Sequence, residues 1–136
     1  MTFALALNRY RATKAIATES AEQPYEVVLA TLKELGRSLE VLAISQDTDR
    51  PFPAEHLNRA LTAIYILQSS LDFESGGELA TDLFQLYEFA RFHVLKAWKN
   101  EPDARLRDAA DAMAQILAGW RDMDRDATTE LARKAG

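Results

Sequence analysis

A chain of 136 residues, 48% hydrophobic and 27% charged, has the composition of one globular domain long enough to bury most of its unfolded surface. With no cysteine it has neither disulfides nor thiolate metal sites, and a net charge of −5 argues against general nucleic-acid binding, which needs a basic surface. No apolar run approaches the ~18–20 residues of a membrane-spanning helix, so no membrane insertion is expected and the cytosol is the default location.

Residues 1–18 form a mildly basic segment (Arg9, Arg11, Lys14). Phe3, Leu7 and Tyr10 fit one helical face, whereas Phe3, Leu5 and Leu7 alternate like a strand. The segment reads as an N-terminal tail or short cap helix. The apolar stretch Phe3 to Leu7 is too short for a secretory signal. Ser20-Ala21-Glu22-Gln23 has the form of a capping box, and Pro24 suits a first helical turn. Val28, Leu32, Leu35, Leu39 and Leu42 then give a seam at spacings of four and three, predicting a helix over about 21–45. The polar, proline-bearing stretch from Gln46 to Pro53 reads as a loop.

A second helix is expected over about 54–73, with Leu57, Ala60 or Leu61, Ile64, Leu67 or Gln68, and Leu71 on its inner face. Ala63, Ile66, Ser70 and Phe73 form a weaker apolar edge. Ser75-Gly76-Gly77-Glu78 has the form of another capping box, opening a third helix over about 76–99, roughly 36 Å long at ~1.5 Å per residue. Leu79, Leu83, Leu86, Ala90, Val94 and Ala97 share one face of it. Phe84, Tyr87, Phe89, Phe92, Leu95 and Trp98 lie outside that stripe, so the third helix is apolar around much of its circumference. Asn100-Glu101-Pro102-Asp103 punctuates the chain. Leu106, Ala109, Met113, Ile116, Trp120 and Met123 predict a fourth helix over about 102–125, with a polar, fraying tail at 127–136.

No segment reads as strand. Four helices in 19–126 joined by short loops predict an all-α, antiparallel up-down-up-down four-helix bundle. The inventory for chemistry is poor. His56 and His93 are the only histidines, and Pro53 and Ala90 stand where the Glu-x-x-His elements of a di-metal bundle would need glutamate. Gly76-Gly77 lacks the spacing of a phosphate-binding loop, and no nucleophile elbow occurs. Asp122, Asp124 and Asp126 lack the glycine and final glutamate of a calcium loop. Neither an enzyme nor a bound metal or cofactor is therefore expected. The apolar surplus instead favours a groove for an apolar helix or extended segment, because positions 84, 86, 87, 89 and 92 cannot all face the bundle axis.

Taken in order, several pieces resemble the FliS family, the flagellin-specific export chaperones. They are Tyr10 with Thr18 following; Pro24-Tyr25-Glu26-Val27-Val28-Leu29; Leu57-Asn58-Arg59-Ala60 with Ile64 to Leu71; and above all Leu71-Asp72-Phe73-Glu74-Ser75-Gly76-Gly77-Glu78-Leu79-Ala80. Leu83 to Leu86, Tyr87, Phe89 and finally Trp120 continue the likeness. Lys33 departs from it, standing where the family commonly has tyrosine, and the Pro51-Phe52-Pro53 loop is longer than usual.

The resemblance implies a small bundle that holds the disordered C-terminal segment of flagellin in the cytosol, prevents its premature polymerisation and delivers it to the flagellar export gate. It also implies candidate site residues. Leu61, Ile64 and Tyr65 with Leu83, Phe84 and Tyr87 would line the client groove, and Tyr10 and Ile16 would close it as a lid when empty. For each, core packing is the competing expectation. A regulatory or assembly bundle that binds another apolar helix or dimerises with itself is the competing function. The free chain is expected as a monomer or homodimer.

Overall fold

The computed structural model describes the backbone of residues 22–135 and the side chains of residues 26–122. The expected N-terminal segment, with Tyr10 and Ile16, lies outside the described residues. Within residues 22–135 four helices follow one another: α1 (Glu22–Asp47), α2 (Ala54–Ser69), α3 (Phe73–Trp98) and α4 (Leu106–Ala135). Among the described residues there is no strand. The all-α bundle read from the sequence is the observed fold class.

Each helix packs against its neighbours in the chain, and α4 closes the ring against α1, while α1 and α3 barely meet across the diagonal. Cross-helix pairs give the direction. Ser38 approaches His56, and Glu34, one turn earlier on α1, approaches Arg59, one turn later on α2. Lys96 pairs with Asp103, and His93 pairs with Arg105. Between α1 and α2, numbers that fall on one helix rise on the next, the register of antiparallel neighbours. Arg107 grips Glu40 with two 2.8 Å contacts, and Gln46 Nε2 donates to the Ala104 carbonyl at 3.0 Å, tying the start of α4 to the end of α1.

The seams become the core. Leu32, Leu35, Leu39 and Leu42 of α1 meet Leu57, Ala60, Ile64 and Leu67 of α2, Leu83, Ala90, Val94 and Ala97 of α3, and Leu106, Ala109, Met113, Ile116 and Trp120 of α4 in one apolar cluster. Side chains three and four residues apart share a helix face, so one apolar stripe per helix suffices to enclose an axis.

The helix ends are built from backbone bonds. At the end of α1 the Arg50 N–H donates to Ser45 O at 3.0 Å, and Asp49 takes φ 53. The end of α3 repeats the device: Glu101 N–H donates to Lys96 O at 3.0 Å, Asn100 N–H to Ala97 O at 3.0 Å, and Asn100 takes φ 61. Aspartate and asparagine tolerate this left-handed position better than most residues, and the six-to-one bond satisfies an otherwise orphaned carbonyl.

Four boundaries differ from the sequence expectation by three residues or more, one being the start of α4 at Leu106 rather than about 102, after the Glu101-Pro102-Asp103 turn. α2 stops at Ser69, where the Ser70 hydroxyl donates back to Leu67 O at 2.8 Å. α3 begins at Phe73 rather than 76, and Gly77 (φ 52, ψ −126) bends it after its first turn. α4 runs past the expected end near 125 to Ala135, since nothing after Gly119 interrupts it and Ala, Leu, Lys, Arg and Glu all favour helix.

Candidate functional site

The expected groove residues separate by depth. Ile64 follows the α2 seam and Leu83 and Tyr87 follow the inner face of α3, so all three are enclosed, at 0%, 2% and 2% exposure. Tyr87 shares a face with Ala80, Leu83, Ala90 and Val94, so it is a core side chain here rather than one of the surplus aromatics. Leu61 is half-buried at an edge of the core, and Phe84 is half-buried. Tyr65 projects into solvent at 72% exposure. Ile64 and Tyr65 are adjacent in sequence but about 100° apart around the helix, which accounts for their opposite environments.

The accessible apolar side chains among the expected residues are therefore Leu61 and Tyr65 on α2 and Phe84 on α3, while Ile64, Leu83 and Tyr87 belong to the core. Phe73 joins them: its ring packs edge-on against Phe84 with centroids 6.0 Å apart, while half of the residue stays exposed. Edge-to-face pairs of this kind contribute ~0.5–1.5 kcal/mol beyond simple burial.

A polar clamp fixes this face. Gln68 Nε2 donates to Glu88 Oε1 at 2.8 Å, and Arg91 donates to both oxygens of the same carboxylate at 2.9 and 2.8 Å. The Arg91 and Gln68 hydrogen bonds hold the Glu88 carboxyl well below the usual carboxylate range, at about 2. The clamp sets the last turn of α2 level with Glu88. The stretch of α3 from Gly77 to Tyr87 therefore reaches beyond the end of α2, and Phe73 folds back along it.

A second apolar recess was not anticipated. A cleft of about 400 Å³ opens between Ala30, Thr31 and Glu34 of α1 and Thr62, Ala63 and Ile66 of α2. Arg59 spans its rim, 3.8 Å from Glu34 and 2.6 Å from Glu55. The cleft exists because alanine and threonine face each other where the other interhelical layers carry leucine. That run of small residues was its only signal in the sequence. Further along α3, Phe92 and Trp98 are the most exposed members of the apolar surplus, and Phe89 and Leu95 are half-buried.

Neither histidine has the surroundings of a metal ligand. His93 is buried beside Arg105, and half-buried His56 lies 3.4 Å from the Ser38 hydroxyl. Among the described residues no group of three or more His, Cys, Asp or Glu could hold a metal ion. Nor is any described helix long and apolar enough to cross a membrane.

The family model described as flagellar protein FliS matches residues 6–127. A flagellar secretion chaperone FliS of Vibrio cholerae is 30% identical over 116 residues, spanning 84% of this chain and 85% of its own. A flagellar secretion chaperone FliSB of Pseudomonas aeruginosa is 23% identical over 116 residues, spanning 85% of this chain and 92% of its own. No solved structure is a significant match.

Proposed function

The chain belongs to the FliS family of flagellar proteins, and on that premise we propose that it is a flagellar secretion chaperone whose client is the disordered C-terminal segment of flagellin. In this reading it is a non-catalytic, cytosolic holdase. It covers the client's apolar stripe, prevents premature polymerisation and hands the client to the flagellar export apparatus. The single observation that carries the reading is the accessible apolar edge between α2 and α3. There Tyr65 stands in solvent beside Leu61, and the Phe73–Phe84 pair lies open at the Gly77 bend.

A client segment laid along this edge gains contact with Leu61, Tyr65 and Phe84. Ile64, Leu83 and Tyr87 support those contacts from the core. Wrapping a disordered segment buries on the order of 1,000–3,000 Å² and loses roughly 2–5 kcal/mol to ordering, so the complex is specific yet releasable without nucleotide hydrolysis. Tyr10 and Ile16 complete the proposal as a lid that occupies the same edge when no client is bound. A closed lid lowers the apparent affinity by the fraction of molecules left open.

Isothermal titration of the full chain with a flagellin C-terminal peptide tests the reading. Saturable binding with a negative heat-capacity change is the expected result, and absence of binding overturns it. The same titration with residues 1–18 removed tests the lid: tighter binding supports it, and unchanged affinity discards it.

A further inference from the structure

The junction of α3 and α4 is held by a histidine whose hydrogen bond exists in only one protonation state. His93 sits on the α4 side of α3, and its Nδ1 accepts the backbone N–H of Arg105 at 2.9 Å. Arg105 immediately precedes α4, and its carbonyl accepts the first helical bond, from the Ala109 N–H at 3.1 Å. The imidazole therefore satisfies an amide that the helix itself leaves orphaned.

The surroundings are aromatic and charged. The Phe89 ring lies 4.5 Å from the imidazole, tilted, and the Phe92 ring 5.2 Å away, edge-on. Each phenyl carries a cation: Arg105 is 5.3 Å from the centre of Phe89 and Lys96 is 5.5 Å from that of Phe92. Arg105 Nε donates to Asp108 at 2.8 Å, and Lys96 Nζ to Asp103 at 2.6 Å, with Glu101 at 3.9 Å. The charged groups facing His93 are thus Lys96 on α3, Asp103 and Arg105 in the connection, and Asp108 on α4, with Glu101 acting through Lys96.

Accepting the Arg105 N–H requires a bare lone pair on Nδ1, so the imidazole is neutral with its proton on Nε2. A proton added to Nδ1 would face a second donor, between two existing cations. We propose that His93 is an acid-sensitive latch: neutral, it pins the start of α4 to α3; protonated, it releases the connection from Lys99 to Arg105 and the first turn of α4.

The direction of titration agrees with this geometry. Burial first, then Lys96 and Arg105, push the imidazole pKa below its ordinary value, outweighing Asp103 and Asp108. A depressed folded-state pKa favours the neutral form. The latch's contribution is complete above the unfolded value of about 6.5 and is lost as pH falls through the folded value.

The test is amide hydrogen exchange by NMR on the full chain at about pH 7.5 and about pH 5, corrected for intrinsic exchange and referenced to Ile64 in the middle of α2. Protection of the Arg105 amide should fall by about tenfold or more relative to Ile64, one pH unit of linked titration being a factor of ten. The His93 ring should titrate below about 6.5. His93→Asn, whose amide oxygen accepts at any pH, should hold Arg105 protection flat over the same range. Should that variant fail to fold, the ring nitrogen shifts of the unaltered protein decide, because an acceptor Nδ1 at neutral pH is required. Nδ1 found protonated at neutral pH, a ring titrating at or above 6.5, or equal Arg105 protection at both pH values overturns the proposal.

Discussion

The Oδ1 of Asp72 accepts the backbone N–H of Ser75 at 3.0 Å, so the helix that carries half of the candidate site is capped three residues before the serine that looked like its cap. The backbone agrees, since Gly76 N–H donates to Asp72 O at 2.8 Å. Ser75 and Glu78 are both exposed. Asp72→Ala should therefore lower stability by ~1 kcal/mol, the usual loss on removing an N-cap. Ser75→Ala should change it by less than ~0.5 kcal/mol. Urea midpoints of the two variants distinguish the arrangements: a larger loss at Ser75 than at Asp72 would restore the box read from the sequence.

Which parts of the molecule were legible follows from what a helical period encodes. Leu32, Leu35 and Leu39, or Leu106, Met113 and Ile116, recur on one face, and burial followed that face directly. Period gives angle around an axis but not height along it. The Gln68–Glu88 contact sets α3 higher than its neighbour, and no local pattern announces that. For the same reason the cleft beside Ala63 was hidden, since it depends on register between helices, while the Phe73–Phe84 pairing depends on the bend at Gly77 within α3. Tyr87 was misread in the other direction: at the border of a wide apolar arc, neighbouring helices decide whether a ring is inside.

Two glycines make a pair of opposite predictions. Gly36 lies inside α1 with no atom within 4 Å of where a Cβ would stand, so Gly36→Ala should stabilise the protein by up to ~1 kcal/mol through helix propensity. Gly77 also has open space around that position, yet its φ of +52 with ψ −126 is a conformation that side chains disfavour. Gly77→Ala should destabilise by ~1–3 kcal/mol from backbone strain alone. Chemical denaturation of both variants checks the signs, and equal shifts would contradict the bend.

Glu88 gives a pH dependence with a defined sign. Its folded-state pKa, about 2, lies below the ordinary value of 4.5, so the folded protein binds fewer protons there than the unfolded chain. Its contribution is complete above about 4.5 and disappears as pH falls toward 2. Because the pair with Arg91 is partly exposed, that contribution is ~1 kcal/mol or less after solvent screening. Glu88→Gln should lower stability at neutral pH by about that amount and flatten the acid limb of the stability curve. A variant whose acid limb matched that of the parent would place the titrating group elsewhere.

Ile64 and Tyr65 separate folding from binding most sharply, being adjacent in the chain with exposures of 0% and 72%. Ile64→Ala removes core volume and should cost ~2–5 kcal/mol of stability. Tyr65→Ala removes a ring that touches mostly water, so its unfolding midpoint should stay within ~0.5 kcal/mol of the parent. On the proposed client edge, that same truncation should weaken affinity for the flagellin C-terminal segment by about tenfold or more, as expected for an aromatic anchor worth at least ~1.4 kcal/mol. The comparison needs both readouts, since a binding loss accompanied by unfolding would say nothing about the surface. If Tyr65→Ala binds the segment as tightly as the parent, the α2–α3 edge is not where the client lies, and the cleft between Ala30 and Ile66 becomes the surface to test next.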